Sequence, residues 1–176
     1  MIGEEGTIEF WFKPDWDGGD GKDYRIFDAS LGDKYFYIGS DTQNQMGIYV
    51  EDVPDRHWHT MIDLNETVVE ADKWYHLAAT WKFGVEAAFY LNGELGLKTD
   101  ISANPLGALP PFAAASRIGR STETQYAAAN SANGTIDELK IYSRALDPDE
   151  IKQAMEAKSA VDFTAKVATT WGELKS

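Results

Sequence analysis

Residues 73–98 read KWYHLAATWKFGVEAAFYLNGELGLK, and this stretch decides the fold class. Apolar residues recur at every second position in both halves of it, which is the period of a strand with one buried face. Asn92-Gly93 follows, a dipeptide that tolerates the positive φ values of a tight turn. The stretch therefore predicts three successive antiparallel strands. Their inward residues are predicted to be Tyr75, Leu77, Ala79, Trp81, Val85, Ala87, Phe89 and Leu91.

The same alternation continues on both sides of this stretch. Ile8, Phe10 and Phe12 share one face of an early strand, while Thr7, Glu9 and Lys13 share the other. Further strands are predicted over residues 24–29, 34–39, 46–51, 58–64, 116–120 and 134–143. This pattern predicts an all-β jelly-roll sandwich of two antiparallel sheets. Its shared core is predicted to contain Phe10, Phe12, Leu77, Ala79, Phe89, Leu91, Leu139 and Ile141.

One short C-terminal helix is predicted to begin after Asp147. Asp147 is a suitable N-cap, Pro148 fits the first helical position, and Glu150 is placed to close a capping box. The helix should be peripheral and should cover an edge or end of a sheet. Residues 1–160 are thus predicted to form one domain, and residues 161–176 a tail or an additional element.

Composition excludes several classes of function. The formal net charge is -13, which opposes binding to nucleic acid or to anionic membrane surfaces. The chain contains no cysteine, so disulfides and thiol catalysis are excluded. No apolar run is long enough for membrane insertion, and the first five residues, MIGEE, do not resemble a signal peptide.

Three ordered segments resemble the laminin-G-like domain of the concanavalin A-like lectin and glucanase superfamily. They are residues 6–14 (GTIEFWFKP), residues 74–81 (WYHLAATW) leading to 90–94 (YLNGE), and a closing block of 118–120, 134–142 and 144–146. The resemblance implies two stacked sheets, a frequent calcium site, and glycan or protein binding as one module of a larger multidomain secreted or cell-surface protein. Such domains commonly begin with one more strand, which is expected to be missing here or replaced by C-terminal residues.

Asp137 is the candidate metal ligand. It has the same strand parity as Leu139 and Ile141, so a regular strand would direct its carboxylate inward. A buried carboxylate requires a partner, and the matching position in the resembled family often serves calcium. The alternatives are a salt bridge to Arg117 or Arg120, or exposure at the strand end.

Aromatic residues in turn-rich segments are the candidate ligand contacts. Trp16 and Tyr126 are predicted to lie in loops and to stack on a sugar ring. Trp58 is ambiguous, because it shares parity with apolar Ile62 yet begins its strand beside Arg56 and His57. The predicted ligand-binding residues are therefore Trp58, Tyr126, Trp16, Arg56 and His57. His57 and His59 should share one face of their strand.

A non-catalytic carbohydrate-binding module, with calcium supporting the fold or the site, is the leading hypothesis for function. A protein-interaction or adhesion module is the alternative. A glycoside hydrolase is third, because Glu70-Ala71-Asp72 begins the carboxylate pattern of the glucanases but Lys73-Trp74-Tyr75 does not complete it.

Overall fold

The computed structural model of the chain describes residues 3–52, 56–103, 106, 116–121 and 131–159. Ten strands and one C-terminal helix lie in this part of the chain. The strands are β1 Glu5–Pro14, β2 Tyr24–Asp28, β3 Tyr35–Ser40, β4 Gln45–Glu51, β5 His57–Asp63, β6 Tyr75–Lys82, β7 Glu86–Leu91, β8 Glu94–Asp100, β9 Arg117–Ile118 and β10 Gly134–Tyr142. The helix, α1, spans Pro148–Ser159. Residues 161–176 lie outside the described part, so their predicted role stays a prediction.

The strands form two antiparallel sheets of five. Sheet 1 has the order β10-β1-β6-β7-β8, and sheet 2 has the order β5-β4-β3-β2-β9. The stretch quoted above supplies β6, β7 and β8 in that order, and Asn92 and Gly93 have φ values of 52° and 75° as the turn requires. The predicted all-β sandwich is confirmed.

The inner faces of the two sheets enclose one hydrophobic core. Phe10, Phe12, Leu77, Ala79 and Phe89 are buried in it as predicted. Leu91 and Leu139 are half-buried and pack against it.

Two residues predicted to face inward differ from that prediction. Ile141 pairs with the buried Ile8, but it lies on the edge strand β10 and is 49% exposed. Val85 belongs to the turn before β7 and is 45% exposed. Alternation along a strand predicts which face of the sheet a residue lies on. Whether that residue is buried also depends on its distance from the edge and the end of the sheet.

Helix α1 packs on the outer face of sheet 1. Ile151 is fully buried in a second apolar cluster with Ala78, Ala88, Tyr90 and Leu146. The small side chains of Ala78 and Ala88, on β6 and β7, leave room for the helix over central strands of the sheet. The helix therefore covers part of a face, and it also contacts the edge strand and the end of the sheet that were predicted, through Lys152 with Glu94 and Met155 with Gly93.

The capping box at the start of α1 forms as predicted. The Glu150 amide donates to Asp147 Oδ1 over 2.9 Å, and the Asp147 amide donates to Glu150 Oε2 over 3.0 Å. Arg144 makes two 2.6 Å hydrogen bonds to the Glu150 carboxylate. These bonds, led by those from Arg144, lower the pKa of Glu150 to about 2. No helix in the described residues has the length and hydropathy of a membrane span.

A buried polar cluster lies beside α1 on the outer face of sheet 1. Glu9 is 1% exposed, and its Oε1 accepts hydrogen bonds from Lys140 Nζ at 3.0 Å and from Tyr142 at 2.9 Å. His76 is 2% exposed, with its Nε2 3.4 Å from Glu9 Oε2. Burial by itself would raise the pKa of Glu9, but the polar contacts with these three residues outweigh it and hold the pKa below its ordinary value.

Candidate functional site

The outer face of sheet 2 carries a group of aromatic and polar side chains outside the core. It is built by strand alternation, because Phe36, Ile48 and Trp58 point into the core while their strand neighbours point outward. The outward positions of β3, β4 and β5 include Tyr37, Tyr49, His57 and His59.

Three of these rings stack across adjacent strands and form what we call the ring row. The centroids of Tyr37 and Tyr49 are 5.1 Å apart, and those of Tyr49 and His57 are 5.7 Å apart, with an interplanar angle of 15° in both pairs. The Arg25 guanidinium carbon lies 3.6 Å from the Tyr37 centroid, which adds a cation–π contact. The rings cover one another's faces and Tyr37 is only 7% exposed, so the row presents mainly the ring edges and polar atoms of Tyr49 and His57 to solvent.

Burial keeps the two phenols of the row protonated. The Tyr49 hydroxyl donates to a carboxylate oxygen of Glu51. Burial, together with the Glu51 carboxylate, raises the pKa of Tyr49, and burial raises the pKa of Tyr37. Both phenols therefore remain neutral hydroxyl groups across the physiological pH range.

A groove of about 380 Å³ runs beside the ring row. It is lined by Asp23, Tyr37, Asp41, Thr42, Gln43, Gln45, Tyr49, His57, His59 and Met61. Gly39 and Gly47 are paired in register between the ring row and the β3–β4 turn, so no side chains fill the space there. A Cβ at Gly39 would lie 2.0 Å from the Tyr24 carbonyl oxygen, and one at Gly47 would lie 2.0 Å from that of Thr60.

The β3–β4 turn is held rigidly at one end of the groove. Asp41 Oδ1 accepts 2.9 Å hydrogen bonds from the backbone amides of Gln43 and Gln45. Asn44, with a φ of 61°, completes the turn. The side-chain amides of Gln43 and Gln45 therefore stand on a fixed backbone and can both donate and accept hydrogen bonds.

Of the predicted ligand-binding residues, only His57 belongs to this row. The expectation that Trp58 and Trp16 offer exposed ring platforms is wrong, because they are 5% and 7% exposed and belong to the core. The Trp16 ring stacks on Tyr24 with centroids 4.2 Å apart, and its Nε1 donates to the Ala132 carbonyl. Tyr126 lies outside the described residues, so its role stays a prediction.

Arg56 lies beside the site but is held by a buried carboxylate. Its Nε and Nη2 donate to Asp52 over 3.0 and 2.6 Å, and Asp52 is 1% exposed. This bidentate pair fixes the start of β5, where His57 enters the ring row. The structure thus gives Arg56 a positioning contact, and its predicted contact with ligand stays a prediction.

Asp137 does not point inward, and the parity argument for its burial is wrong. Glu138 has a φ of 54° and lies in a register shift, so Asp137 pairs with Trp11 while Ile141 pairs with Ile8. The extra residue moves Asp137 to the outer face, where it is half-buried. No group of three or more His, Cys, Asp or Glu side chains in the described residues is arranged to hold a metal. Calcium binding at Asp137 stays a prediction. The argument that its carboxylate points into the core no longer supports it.

The ring row was missed at the sequence level because its members lie on three different strands. Tyr37, Tyr49 and His57 become neighbours only through strand register, which no local pattern specifies. The available signal was alternation, which places Tyr35 and Tyr37 on the face opposite to Phe36, and Tyr49 on the face opposite to Ile48 and Val50. The prediction that His57 and His59 share a face is confirmed.

Comparison with solved structures finds the same sandwich in proteins of low sequence identity. The receptor binding domain of botulinum neurotoxin C/D mosaic serotype has a TM-score of 0.66 at 16% identity, covering 89% of this chain and 37% of that one. The botulinum neurotoxin serotype G binding domain has a TM-score of 0.61 at 17% identity, covering 90% and 37%. A heptameric SAP-like pentraxin from Limulus polyphemus has a TM-score of 0.60 at 15% identity, covering 86% and 70%.

The chain spans little more than a third of the neurotoxin domains, and the likeness at these identities concerns the fold alone. A search of curated proteins found no match. A laminin-G family model, described as "Concanavalin A-like lectin/glucanases superfamily", matches residues 3–152. The chain therefore belongs to this laminin-G-like family of the concanavalin A-like lectin and glucanase superfamily.

Proposed function

We propose that this chain is a non-catalytic binding module that holds a neutral glycan in the groove beside the ring row. The observation that carries the proposal is the fixed row of Tyr37, Tyr49 and His57 next to a groove lined by amide and carboxylate side chains. Glycan recognition needs donors and acceptors held in place, because flexible groups lose entropy on binding.

The mode of recognition differs from the ring stacking expected from the sequence. The faces of Tyr37 and Tyr49 are covered by their neighbours, so a sugar would meet hydroxyl, imidazole and amide groups at the ring edges. Sugar hydroxyls both donate and accept hydrogen bonds, which matches this set. The acidic net charge opposes polyanionic sugars.

Comparisons support a binding role. The neurotoxin structures are described as receptor binding or binding domains, and the family description also includes glucanases. Glu70 and Asp72, the carboxylates of the partial glucanase pattern, are exposed in the turn before β6, and Glu70 pairs with Lys73. The resemblance further suggests an extracellular or cell-surface protein of several domains.

Isothermal titration against a set of neutral oligosaccharides tests the proposal. We expect affinities in the millimolar to micromolar range, about 4 to 8 kcal/mol, because the groove is shallow. Tyr49→Phe removes one hydroxyl from the ring row and should weaken binding about fivefold. Tyr142→Phe is the matched control, since it also removes a tyrosine hydroxyl bonded to a glutamate, but on sheet 1.

Equal binding by both variants would place the sugar elsewhere on the molecule. Failure of every oligosaccharide to bind, with saturable binding to a protein, would favour the adhesion alternative.

A further inference from the structure

A second surface, separate from the ring row, lies where one edge of each sheet comes together. In the described residues, β8 pairs only with β7, and β5 pairs only with β4, so each has an edge without a strand partner. Such an edge presents backbone N–H and C=O groups that can pair with another strand. We call the space between these two edges the seam.

The two edges converge at one end of the seam and separate at the other. The Thr99 hydroxyl on β8 donates to the His59 carbonyl on β5 over 3.4 Å. Gly96 allows close approach in the middle, since a Cβ there would lie 2.5 Å from Ile62 Cγ2. The seam then opens into a groove of about 410 Å³ beside Leu95 and Leu97.

The open end of the seam has an apolar floor. Leu95 on β8 is 49% exposed and Leu97 is 40% exposed, and a register shift between them leaves Leu95 opposite Tyr90 and Leu97 opposite Phe89. Met61, Ile62 and Leu91 complete this apolar lining. Exposed apolar residues beside an edge strand are a liability unless a partner covers them.

The rim of the seam is acidic. Asp63, Glu66 and Glu94 line the groove, and its described lining contains no lysine or arginine. Among the described residues Glu94 has one ion pair, to Lys152 at 3.0 Å, and the two side chains are 78% and 46% exposed. A second copy of this chain, with a net charge of -13, would bring more negative charge to this rim.

We propose that the seam binds an extended, positively charged peptide segment of a partner protein, which adds to β8 as a further strand. Backbone hydrogen bonds to the edge of β8 would provide affinity. Alternate side chains would provide specificity, with an apolar residue beside Leu95 and lysine or arginine residues toward Glu66 and Glu94. This proposal does not depend on glycan binding at the ring row.

A fluorescent peptide of alternating lysine and valine, about seven residues long, is a suitable probe because it matches the length of a typical strand. Its binding to the full chain is measured by fluorescence anisotropy, and the affected amides are identified by NMR. We expect saturable binding, with the largest shifts in Glu94–Asp100. A glutamate–valine peptide should not bind, and methylation of alternate backbone nitrogens should weaken the lysine peptide at least tenfold.

Matched variants separate the seam from general attraction between opposite charges. Leu95→Lys should weaken binding of the lysine peptide at least tenfold, whereas Val85→Lys, which replaces an exposed apolar residue in the turn before β7, should change binding less than twofold. Glu66→Gln, at an exposed position on the rim, should weaken it about threefold.

The proposal is overturned if the peptide does not bind, or if Leu95→Lys and Val85→Lys have the same effect. Equal binding of the methylated peptide would exclude strand addition. Formation of a dimer that Leu95→Lys abolishes would identify a second copy of the chain as the occupant and would also overturn it.

Discussion

Replacement of Glu9 by glutamine tests the energetic importance of the buried polar cluster on sheet 1. Gln keeps the size of the side chain and one acceptor oxygen, but it removes the negative charge. The charge contacts Lys140 at 3.0 Å and Tyr142 at 2.9 Å, with His76 at 3.4 Å. The variant therefore tests charge and leaves packing nearly unchanged.

The expected loss in the free energy of unfolding follows from these contacts. A hydrogen bond to a charged group contributes about 1.5 to 3 kcal/mol, against about 1 kcal/mol for a neutral one. When the acceptor of both bonds becomes neutral, the fold loses about 2 kcal/mol in total. The contribution of the Lys140 bond lies at the lower end of the range, because the Lys140 side chain is 38% exposed. At pH 7 the variant should lose about 2 kcal/mol, or about 4 to 8 °C in Tm for a chain of this size.

The difference in the free energy of unfolding between wild type and Glu9→Gln should decrease as the pH falls. The folded pKa of Glu9 lies below its ordinary value of 4.5, so its carboxylate stabilises the fold fully above pH 4.5. That contribution disappears as the pH falls through the lower, folded pKa, because the carboxyl group is then protonated in both states. Wild type and Glu9→Gln should therefore differ most at pH 7 and converge in acid.

Urea unfolding followed by tryptophan fluorescence at pH 7 and at about pH 3 measures both effects. Glu86→Gln serves as the control, since Glu86 pairs with Lys98 where both side chains are about half exposed. If Glu9→Gln lowers the free energy of unfolding at pH 7 by no more than Glu86→Gln does, the reasoning is refuted. A cost that persists unchanged in acid would assign the effect to packing.

Three further changes test other features of the structure. Gly47→Ala should destabilise the fold by about 1 to 3 kcal/mol in thermal melts, because its Cβ would meet the Thr60 carbonyl at 2.0 Å; unchanged stability would contradict the close strand approach. Thr60→Val should be neutral or stabilising by up to about 1 kcal/mol, since the buried Thr60 hydroxyl has no hydrogen-bond partner in the described structure; a clear loss would reveal one. Calcium should raise the Tm of the wild type and not that of Asp137→Asn, and a chelator without effect on the wild type would exclude the proposed site.

Local sequence pattern was sufficient to predict those elements in which the environment of each residue depends on residues close to it in the chain. Alternation and turn residues predicted all ten strands of the described residues, the Asn92-Gly93 dipeptide predicted its turn, and the capping box predicted the start of α1 at Pro148. It was insufficient at β10, where Glu138 adopts a positive φ and reverses the parity on which the prediction for Asp137 depended. A bulge of this kind depends on pairing with β1, which is more than a hundred residues away in sequence.

The sequence by itself determined the two-sheet sandwich and most of its core, because a two-residue period and the turn residues act over a few positions. Its ordered segments at 6–14, 74–94 and 118–146 also carried the resemblance to its family. Only the tertiary structure decided that Trp58 and Trp16 are buried while Tyr37, Tyr49 and His57 form a row on the outer face of sheet 2. The same holds for α1, which covers the face carrying Glu9 and His76. Strand register and the packing of distant elements set these environments, and neither is encoded in the period of a single strand.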